Sequence, residues 1–270
     1  MEWDREKIIQ QLLVLEKKLK RRPTKHDHSN LYFLSRKHFG SWNNLMKAAG
    51  YEVKYYQKLK IPDSNSSLLY YFLGLLATDG HIVFDEAKKK YRVLLFTSKK
   101  DEKNMIIKLI KNLFDYNASV RFKKYGFNKA VNYEIYISSK KLCNFLRREL
   151  GMPSGAKSLT IDIPESVKAA KKENIWHFIR GVFDGDGSII KTEKANALKI
   201  PSGSKKFIAT FNNLFISLGF NSGIIRQERE NLWLFKINKK GDIKKIYSLI
   251  YKNCRGYYYS RKKEIWKQYI

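Results

Sequence analysis

Between residues 67 and 251 the spacing of apolar positions changes period in a fixed order, and that order occurs twice. The first copy opens with an almost wholly apolar run that predicts a helix over Ser67–Thr78. Strands His81–Asp85 and Tyr91–Ser98 follow, then a helix capped by Asp101 and running to Phe114. Strands Ser119–Tyr125 and Asn132–Ser138 come next, and a helix over Lys140–Leu150 closes the copy at Gly151. The second copy predicts helix Asn174–Asp184, strands Ser188–Thr192 and Ala197–Ile200, and helix Ser204–Leu218. It ends in strands Ile224–Glu228 and Asn231–Ile237 and helix Gly241–Tyr251. Each copy therefore reads α-β-β-α-β-β-α, an α+β class with pseudo-symmetric halves. Tyr133–Ser138 and Leu232–Ile237 alternate with period two, as antiparallel strands with one covered and one open face do.

Residues 1–55 have a different pattern. Asp4 can cap a helix whose apolar positions Ile8, Ile9, Leu12, Leu13, Leu15 and Leu19 recur at helical spacing. A second helix fits Asn30–His38 and stops at Gly40; Ser41 caps a third, Trp42–Ala49, which stops at Gly50. Three short helices in this order predict a helix-turn-helix-like unit. The expected organisation is this unit at 1–55, a linker at 56–66 with Pro62, a first repeat at 67–151, a connector at 152–173, and a second repeat at 174–270.

Charge narrows the class of partner. The chain has 54 Lys and Arg against 25 Asp and Glu, a formal net charge of +29. Such an excess repels itself unless a polyanion neutralises it, which points to nucleic acid. In the N-terminal unit Arg36, Lys37, Asn43 and Asn44, with Lys25, His38 and Lys47 around them, are candidates to meet phosphates or base edges. The His26-x-His28 pair has no Cys or third His nearby, so no metal site is expected there. Cys143 and Cys254 form no disulfide framework, in keeping with a reducing compartment. No apolar run approaches the ~18 residues of a membrane span, and Met1–Arg5 does not read as a signal peptide. The expected location is wherever the target DNA lies, cytoplasm or organelle matrix, and not outside the cell.

The most specific chemistry lies in the two opening helices. Phe72-Leu73-Gly74-Leu75-Leu76-Ala77-Thr78-Asp79-Gly80 and Ile179-Arg180-Gly181-Val182-Phe183-Asp184-Gly185-Asp186-Gly187 share a central glycine and an Asp-Gly ending. Without side chains, Gly74 and Gly181 let two helices approach closely, and their apolar neighbours seal the contact. Pairing the helices brings Asp79 and Asp186 together at one end. Two carboxylates that close suit a hard divalent cation shared with phosphate oxygens. Gly80 and Gly187 allow a sharp turn into the following strand.

These residues resemble the motifs of the LAGLIDADG homing endonucleases, in the single-chain form with two motifs. The stretch Arg21-Arg22-Pro23-Thr24 through His38-Phe39-Gly40-Ser41-Trp42-Asn43-Asn44-Leu45-Met46-Lys47-Ala48-Ala49-Gly50-Tyr51 resembles the repeat often attached to them. The resemblance implies two α/β repeats packed through the motif helices, with two sheets forming a saddle for a long duplex site. It implies a monomer that cuts both strands with Mg²⁺, Mn²⁺ being able to substitute, with Asp79, Asp186, Gly80 and Gly187 at the metal. It also implies a lysine near each scissile phosphate, for which Lys157 and Lys262 are the choices. The first motif departs from the family in having Ala77 where an acid is common. Asp184 at the corresponding place of the second is expected to be structural. Ser98 and Ser204 occupy what look like matching strand-to-helix junctions, where family members often hold a polar residue that positions water; a helix cap explains each equally well.

The expected DNA-binding set on or near the strands is His81, Arg92, Arg121, Lys123, Lys124, Lys191, Lys194, Lys199, Arg226, Arg229 and Lys236. Asn132, Tyr133, Tyr136, Asn196 and Gln227 could read bases, though a one-residue error in register exchanges the two faces. The expected function is a site-specific, metal-dependent double-strand endonuclease, free-standing or intron-encoded because the ends carry no splicing signature. Two alternatives use the same basic scaffold: a DNA-binding regulator that does not cut, and a maturase that binds intron RNA.

Overall fold

A computed structural model describes residues 3–53, 58–125, 130–191 and 196–268. The chain divides into two compact units, Met1–Gln57 and Lys58–Ile270. Each has its own apolar core. In the smaller unit Ile8, Leu12, Leu31, Leu34, Leu45 and Met46 form it. Its helices are α1 (Arg5–Leu19), α2 (Ser29–Phe39) and α3 (Trp42–Ala48). Asp4 caps α1 by accepting from the Lys7 amide, and Ser41 caps α3 through the Asn44 amide. His28 caps α2: its Nδ1 accepts from the Leu31 amide, which gives half of the His26-x-His28 pair a backbone role.

The larger unit begins before the expected first repeat. Leu59 and Ile61 pack on its core, and the Lys60 amide donates to the Phe114 carbonyl, so these residues are not free linker. The first repeat comprises α4 (Ser67–Asp79), β1 (Gly80–Asp85), β2 (Lys90–Thr97), α5 (Lys100–Phe114), β3 (Ser119–Tyr125), β4 (Ala130–Ser138) and α6 (Lys140–Asn144). A π turn over Phe145–Glu149 continues α6, where the sequence pattern predicted uninterrupted α-helix. Asp101 does not cap α5. Lys99 holds the cap position, Asp101 sits in the first turn, and Thr97 Oγ1 accepts from the Lys99 amide.

The connector is ordered as well. Met152, Ile161, Ile163 and Val167 are buried, and α7 (Glu165–Lys168) makes one turn before the second repeat. That repeat comprises α8 (Lys172–Gly185), β5 (Ser188–Lys191), β6 (Asn196–Ser202), α9 (Lys205–Ser217), β7 (Ile224–Arg229), β8 (Leu232–Ile237) and α10 (Lys240–Tyr251). A further helix, α11 (Ser260–Lys267), was not foreseen in the pattern; its Trp266 is fully buried against Phe183. Among the described residues no helix is long and apolar enough to cross a membrane.

The two sheets are built alike: β1-β2-β4-β3 and β5-β6-β8-β7, antiparallel throughout. Ile82, Val93, Leu95, Ile135 and Ile137 line the covered face of the first, and Ile189, Leu198, Ile200, Phe235 and Ile237 that of the second. Alternation fixes the opposite faces as the open ones.

Candidate active site

Helices α4 and α8 form the centre of the larger unit, with Leu69–Ala77 and Asn174–Asp184 buried almost without exception. They cross glycine on glycine. A Cβ on Gly74 would lie 2.8 Å from the Gly181 Cα and overlap the Phe178 carbonyl. One on Gly181 would lie 2.8 Å from the Gly74 Cα and overlap the Tyr71 carbonyl. Backbone packs directly on backbone here, so any larger residue forces the helices apart.

The same crossing joins the C-terminal ends. A Cβ on Gly185 would overlap the Thr78 hydroxyl and come 3.0 Å from Asp79 Oδ2. Asp79 is the last residue of α4, and the chain enters β1 at Gly80 without a loop. Asp186 caps the end of α8. Neither carboxylate has a hydrogen-bond partner among the described residues. Burial first, then the charge of Asp186, raises the pKa of Asp79 to about 7, with Lys262 and Lys157 opposing and Glu102 adding to the rise. Asp186 opens to solvent on one side, yet the protein packed around it still raises its pKa against the pull of Lys157 and Lys262.

Two lysines flank the pair. Lys157 Nζ donates to the carbonyls of Ala77 and Thr78, at the end of α4. Burial lowers its pKa to about 8, although Asp186 and Asp79 pull the other way. Lys262, on the unforeseen α11, donates through Nζ to the Gly187 carbonyl, just past α8. Burial and then Arg261 lower its pKa, against the three aspartates Asp184, Asp186 and Asp79. His81 stands beside Lys157 in an open depression of about 340 Å³ that also reaches Asp186, Ser158 and Gly203. Its pKa is lowered, by burial and then by Lys157.

Asp184 is embedded in the protein. Its Oδ2 accepts from the Tyr71 hydroxyl at 2.8 Å and from the Tyr259 amide at 3.0 Å. Burial pushes its pKa to about 7 against these bonds and Arg180. Arg180 is fully buried with its guanidinium 4.5 Å from the Tyr71 ring centre, and it bonds to His177 Nδ1 and the Ile250 carbonyl. Burial and Arg180 hold His177 near pKa 4. This cluster fixes α8 against α4 and the start of α11.

A divalent cation fits the two free carboxylates. They are hard oxygen donors, close enough that the charge of Asp186 helps raise the pKa of Asp79, and an Mg²⁺-type site needs only one or two protein carboxylates beside substrate phosphates. Among the described residues no cluster of three or more His, Cys, Asp and Glu offers a complete protein cage. The two glycines fit less well. The Gly187 carbonyl is bonded to Lys262, and Gly80 stands in register with Leu95 in the sheet.

The remaining expected residues fall in several places. Arg92 and Arg121 share the open face of the first sheet, with guanidinium carbons 5.2 and 4.8 Å from the Tyr136 ring centre. Tyr133 is on the other face, packed on the core, and is removed from the base-reading candidates. In the second sheet Lys199 and Lys236 are direct cross-strand partners on the open face, with Arg226 on the neighbouring edge strand. Like charges directly opposed are unfavourable unless an anion lies over them. Arg226 bonds to Glu228, and Arg229 follows a bulge. Lys123, Lys124, Lys191 and Asn196 lie in strands with side chains outside the described residues; Lys194 lies outside them entirely. In the small unit Arg36, Lys37 and Asn44 are exposed and Asn43 is half-buried, and the Asn44 side-chain Nδ2 donates to the Phe39 carbonyl.

The Ser98–Ser204 correspondence is off by one residue. Thr97 and Ser202 end β2 and β6 on the covered face, and each accepts the amide two residues on, from Lys99 and Ser204 respectively. Ser98 is exposed, whereas Ser204 is buried and caps α9. Glu102, missing from every sequence-derived set, is 5% exposed and bonded to Thr97 and Arg261. In sequence it is an ordinary acid in the first turn of an amphipathic helix, which gives no sign of burial.

Known proteins match two parts of the chain. A homing endonuclease associated repeat matches residues 3–52, and a LAGLIDADG-like domain matches residues 173–251. A probable cell division protein WhiA of Clostridium acetobutylicum is 26% identical over 169 residues, 61% of this chain and 52% of that protein. A DNA polymerase of Methanocaldococcus jannaschii is 26% identical over 195 residues, 66% of this chain and 11% of that protein. The chain thus spans about half the length of the first of these relatives and a small part of the second. Among solved structures, the homing endonuclease I-WcaI bound to its DNA recognition sequence superposes with a TM-score of 0.54 at 16% identity, covering 77% of this chain and 88% of its own. I-DmoI in complex with DNA and Mn gives 0.53 at 18% identity, covering 71% and 99%. The chain has the fold of the LAGLIDADG homing endonucleases.

Proposed function

We propose that this chain, which joins a homing endonuclease associated repeat to a LAGLIDADG-fold unit, is a site-specific endonuclease of double-stranded DNA. The glycine-on-glycine crossing of α4 and α8 carries the reading. It supports the reading because the helix ends meet there, with Gly185, the neighbour of Asp186, against Asp79 Oδ2 and a lysine beside each helix end. The open faces of the two sheets, with Arg92, Arg121, Lys199, Arg226 and Lys236, bind the duplex backbone. Both motif acids come from one chain, so a monomer suffices, and it acts wherever its target DNA is kept.

Asp79 and Asp186 would hold Mg²⁺, or Mn²⁺ in its place; when bound, the ion stabilises charge on the phosphate and leaving oxygen and makes water more acidic. The chain's own residues do the rest. The carboxylates would fix where the ion, and through it the reacting phosphates, sits between the two repeats. Lys157, with a pKa near 8, is partly neutral at slightly alkaline pH and can hold or give up a proton at Nζ. Lys262 stands by the other helix end and stabilises developing negative charge there.

A second reading has one observation in its favour, the WhiA match, since those relatives are named as cell division proteins and not as nucleases. On that reading the same faces bind DNA without cutting. Exposing the native protein to a randomised duplex library in Mg²⁺ separates the two. Recovery of discrete double-strand ends at one sequence is the expected result. Sequence-selective retention with no cut in Mg²⁺ or Mn²⁺ leaves the binding protein, and preference for structured RNA leaves the maturase.

A further inference from the structure

The two lysines are held in a crosswise arrangement. Lys157 belongs to the connector that leaves the first repeat; the Gly155 amide ties that connector to the Ile82 carbonyl of the first, and it is fastened to the second repeat as well. Ser204 Oγ, buried at the β6–α9 junction, donates to the Ile161 carbonyl at 2.6 Å. Gly203 backs onto Ser158 so closely that a Cβ there would come 2.6 Å from the Ser158 carbonyl oxygen. Lys206, in the first turn of α9, pairs with Asp162 at 3.3 Å.

Lys262 shows the converse. It belongs to the segment that leaves the second repeat after α10; that segment packs on α8 through Tyr259 and Trp266, and it is also fastened to the first repeat. Arg261 Nη2 pairs with Glu102 Oε1 at 3.2 Å, and Glu102 Oε2 accepts from the Thr97 hydroxyl at 2.5 Å. Thr97 and Glu102 form the β2–α5 junction, the counterpart of the junction that holds Lys157. Farther along α5, Asn112 bonds to the Tyr257 hydroxyl, and Lys108 Nζ lies 5.7 Å from the Tyr257 ring centre.

We propose that each lysine is positioned by the strand-to-helix junction of the opposite repeat, Glu102 acting as positioning residue for Lys262 and Ser204 for Lys157. Cutting of each strand then depends on both repeats being docked. A carboxylate as buried as Glu102 is costly unless paired, and its pairing with Arg261 sets the entry angle of α11. That angle decides whether Lys262, one residue on, reaches the Gly187 carbonyl and the site. A shift of about 1 Å in such a group can cost up to 10²-fold in rate.

This rests on the nuclease reading, so the test has one arm that needs no cutting. Native protein, Glu102→Gln, Arg261→Gln and Ser204→Ala are compared by hydrogen exchange and by strand-resolved cleavage of the selected duplex. Arg261 is exposed, so Arg261→Gln is expected to fold even if the buried substitutions do not. Exchange should speed up within 258–263 in both Glu102→Gln and Arg261→Gln, and within 157–161 in Ser204→Ala. In cleavage, Glu102→Gln and Arg261→Gln should slow by about tenfold or more the same strand that Lys262→Met slows, so that nicked duplex accumulates. Ser204→Ala should match Lys157→Met on the other strand. Equal slowing of both strands, or slowing of the strand served by the other lysine, overturns the assignment. Unchanged exchange in 258–263 overturns the fastening itself. A native protein that cuts nothing overturns the nuclease reading and the strand assignment with it, and exchange alone then decides whether the fastening is real.

Discussion

Asp79 pays for its position in stability. Its pKa of about 7 exceeds the ordinary carboxylate value of 3.8, so the fold favours the protonated form. The favourable contribution is complete below pH 4 and is lost as pH rises towards 7. Asp79→Asn removes the charge and should match the native protein in stability near pH 4. It should then exceed the native by about 1–3 kcal/mol at pH 8, as urea unfolding at the two values would show. Mg²⁺ should narrow that gap by stabilising only the native protein. A variant no more stable than native at pH 8 would show that the carboxylate is not crowded. Asp79 and Asp186 were evident in the sequence because each ends a repeated apolar helix in Asp-Gly. Glu102 was not, since burial of a first-turn acid depends on Arg261, which lies far away in sequence. The Ser98–Ser204 correspondence failed because β2 ends at Thr97, one residue before the expected strand end, so that Lys99 and not Ser98 is the counterpart of Ser204.

Regular elements were easier to read. The apolar motif helices, the alternating strands and the glycine stops lie within a few residues of expectation, because each rests on a local period or a left-handed turn such as Gly40 or Gly151. The connector, α7 and α11 were missed: they are short, without a long repeat, and owe their order to burial of Ile161, Ile163 and Trp266 in a core formed elsewhere. Gly74→Ala tests the helix crossing. Its Cβ would meet backbone, which cannot rotate away, so it should destabilise by about 3 kcal/mol or prevent folding. Urea midpoints within 0.5 kcal/mol of native, on the order of a surface change, would rule out the tight crossing. For the sheets, Lys199→Ala and Lys236→Ala should each weaken DNA binding and lower the slope of log K against log salt by about 1. Each should also stabilise the free protein by about 0.2–1 kcal/mol, because the two charges oppose each other across the strands. An unchanged salt slope would remove both lysines from the phosphate contacts.

For the whole molecule, charge and fold lead to the same partner. An excess of +29 needs a polyanion, and two alike sheets each present an open basic face. The small helical unit closes its own core, distinct from that of the two-repeat unit. The pseudo-symmetry holds in the strand order of the two sheets and at the crossing glycines. Around the motifs the halves differ, with Ala77 against Asp184, and with Lys157 in the connector but Lys262 on a helix. On the proposed nuclease reading, the two strand cuts need not proceed at equal rates. The most direct test follows native, Asp79→Asn and Asp186→Asn proteins on a supercoiled plasmid carrying the selected site, with DNA binding measured in parallel. Linear product from the native protein only, with binding retained in both variants, is the expected result. Linear product that persists in either variant would mean that these two carboxylates do not form one cutting site.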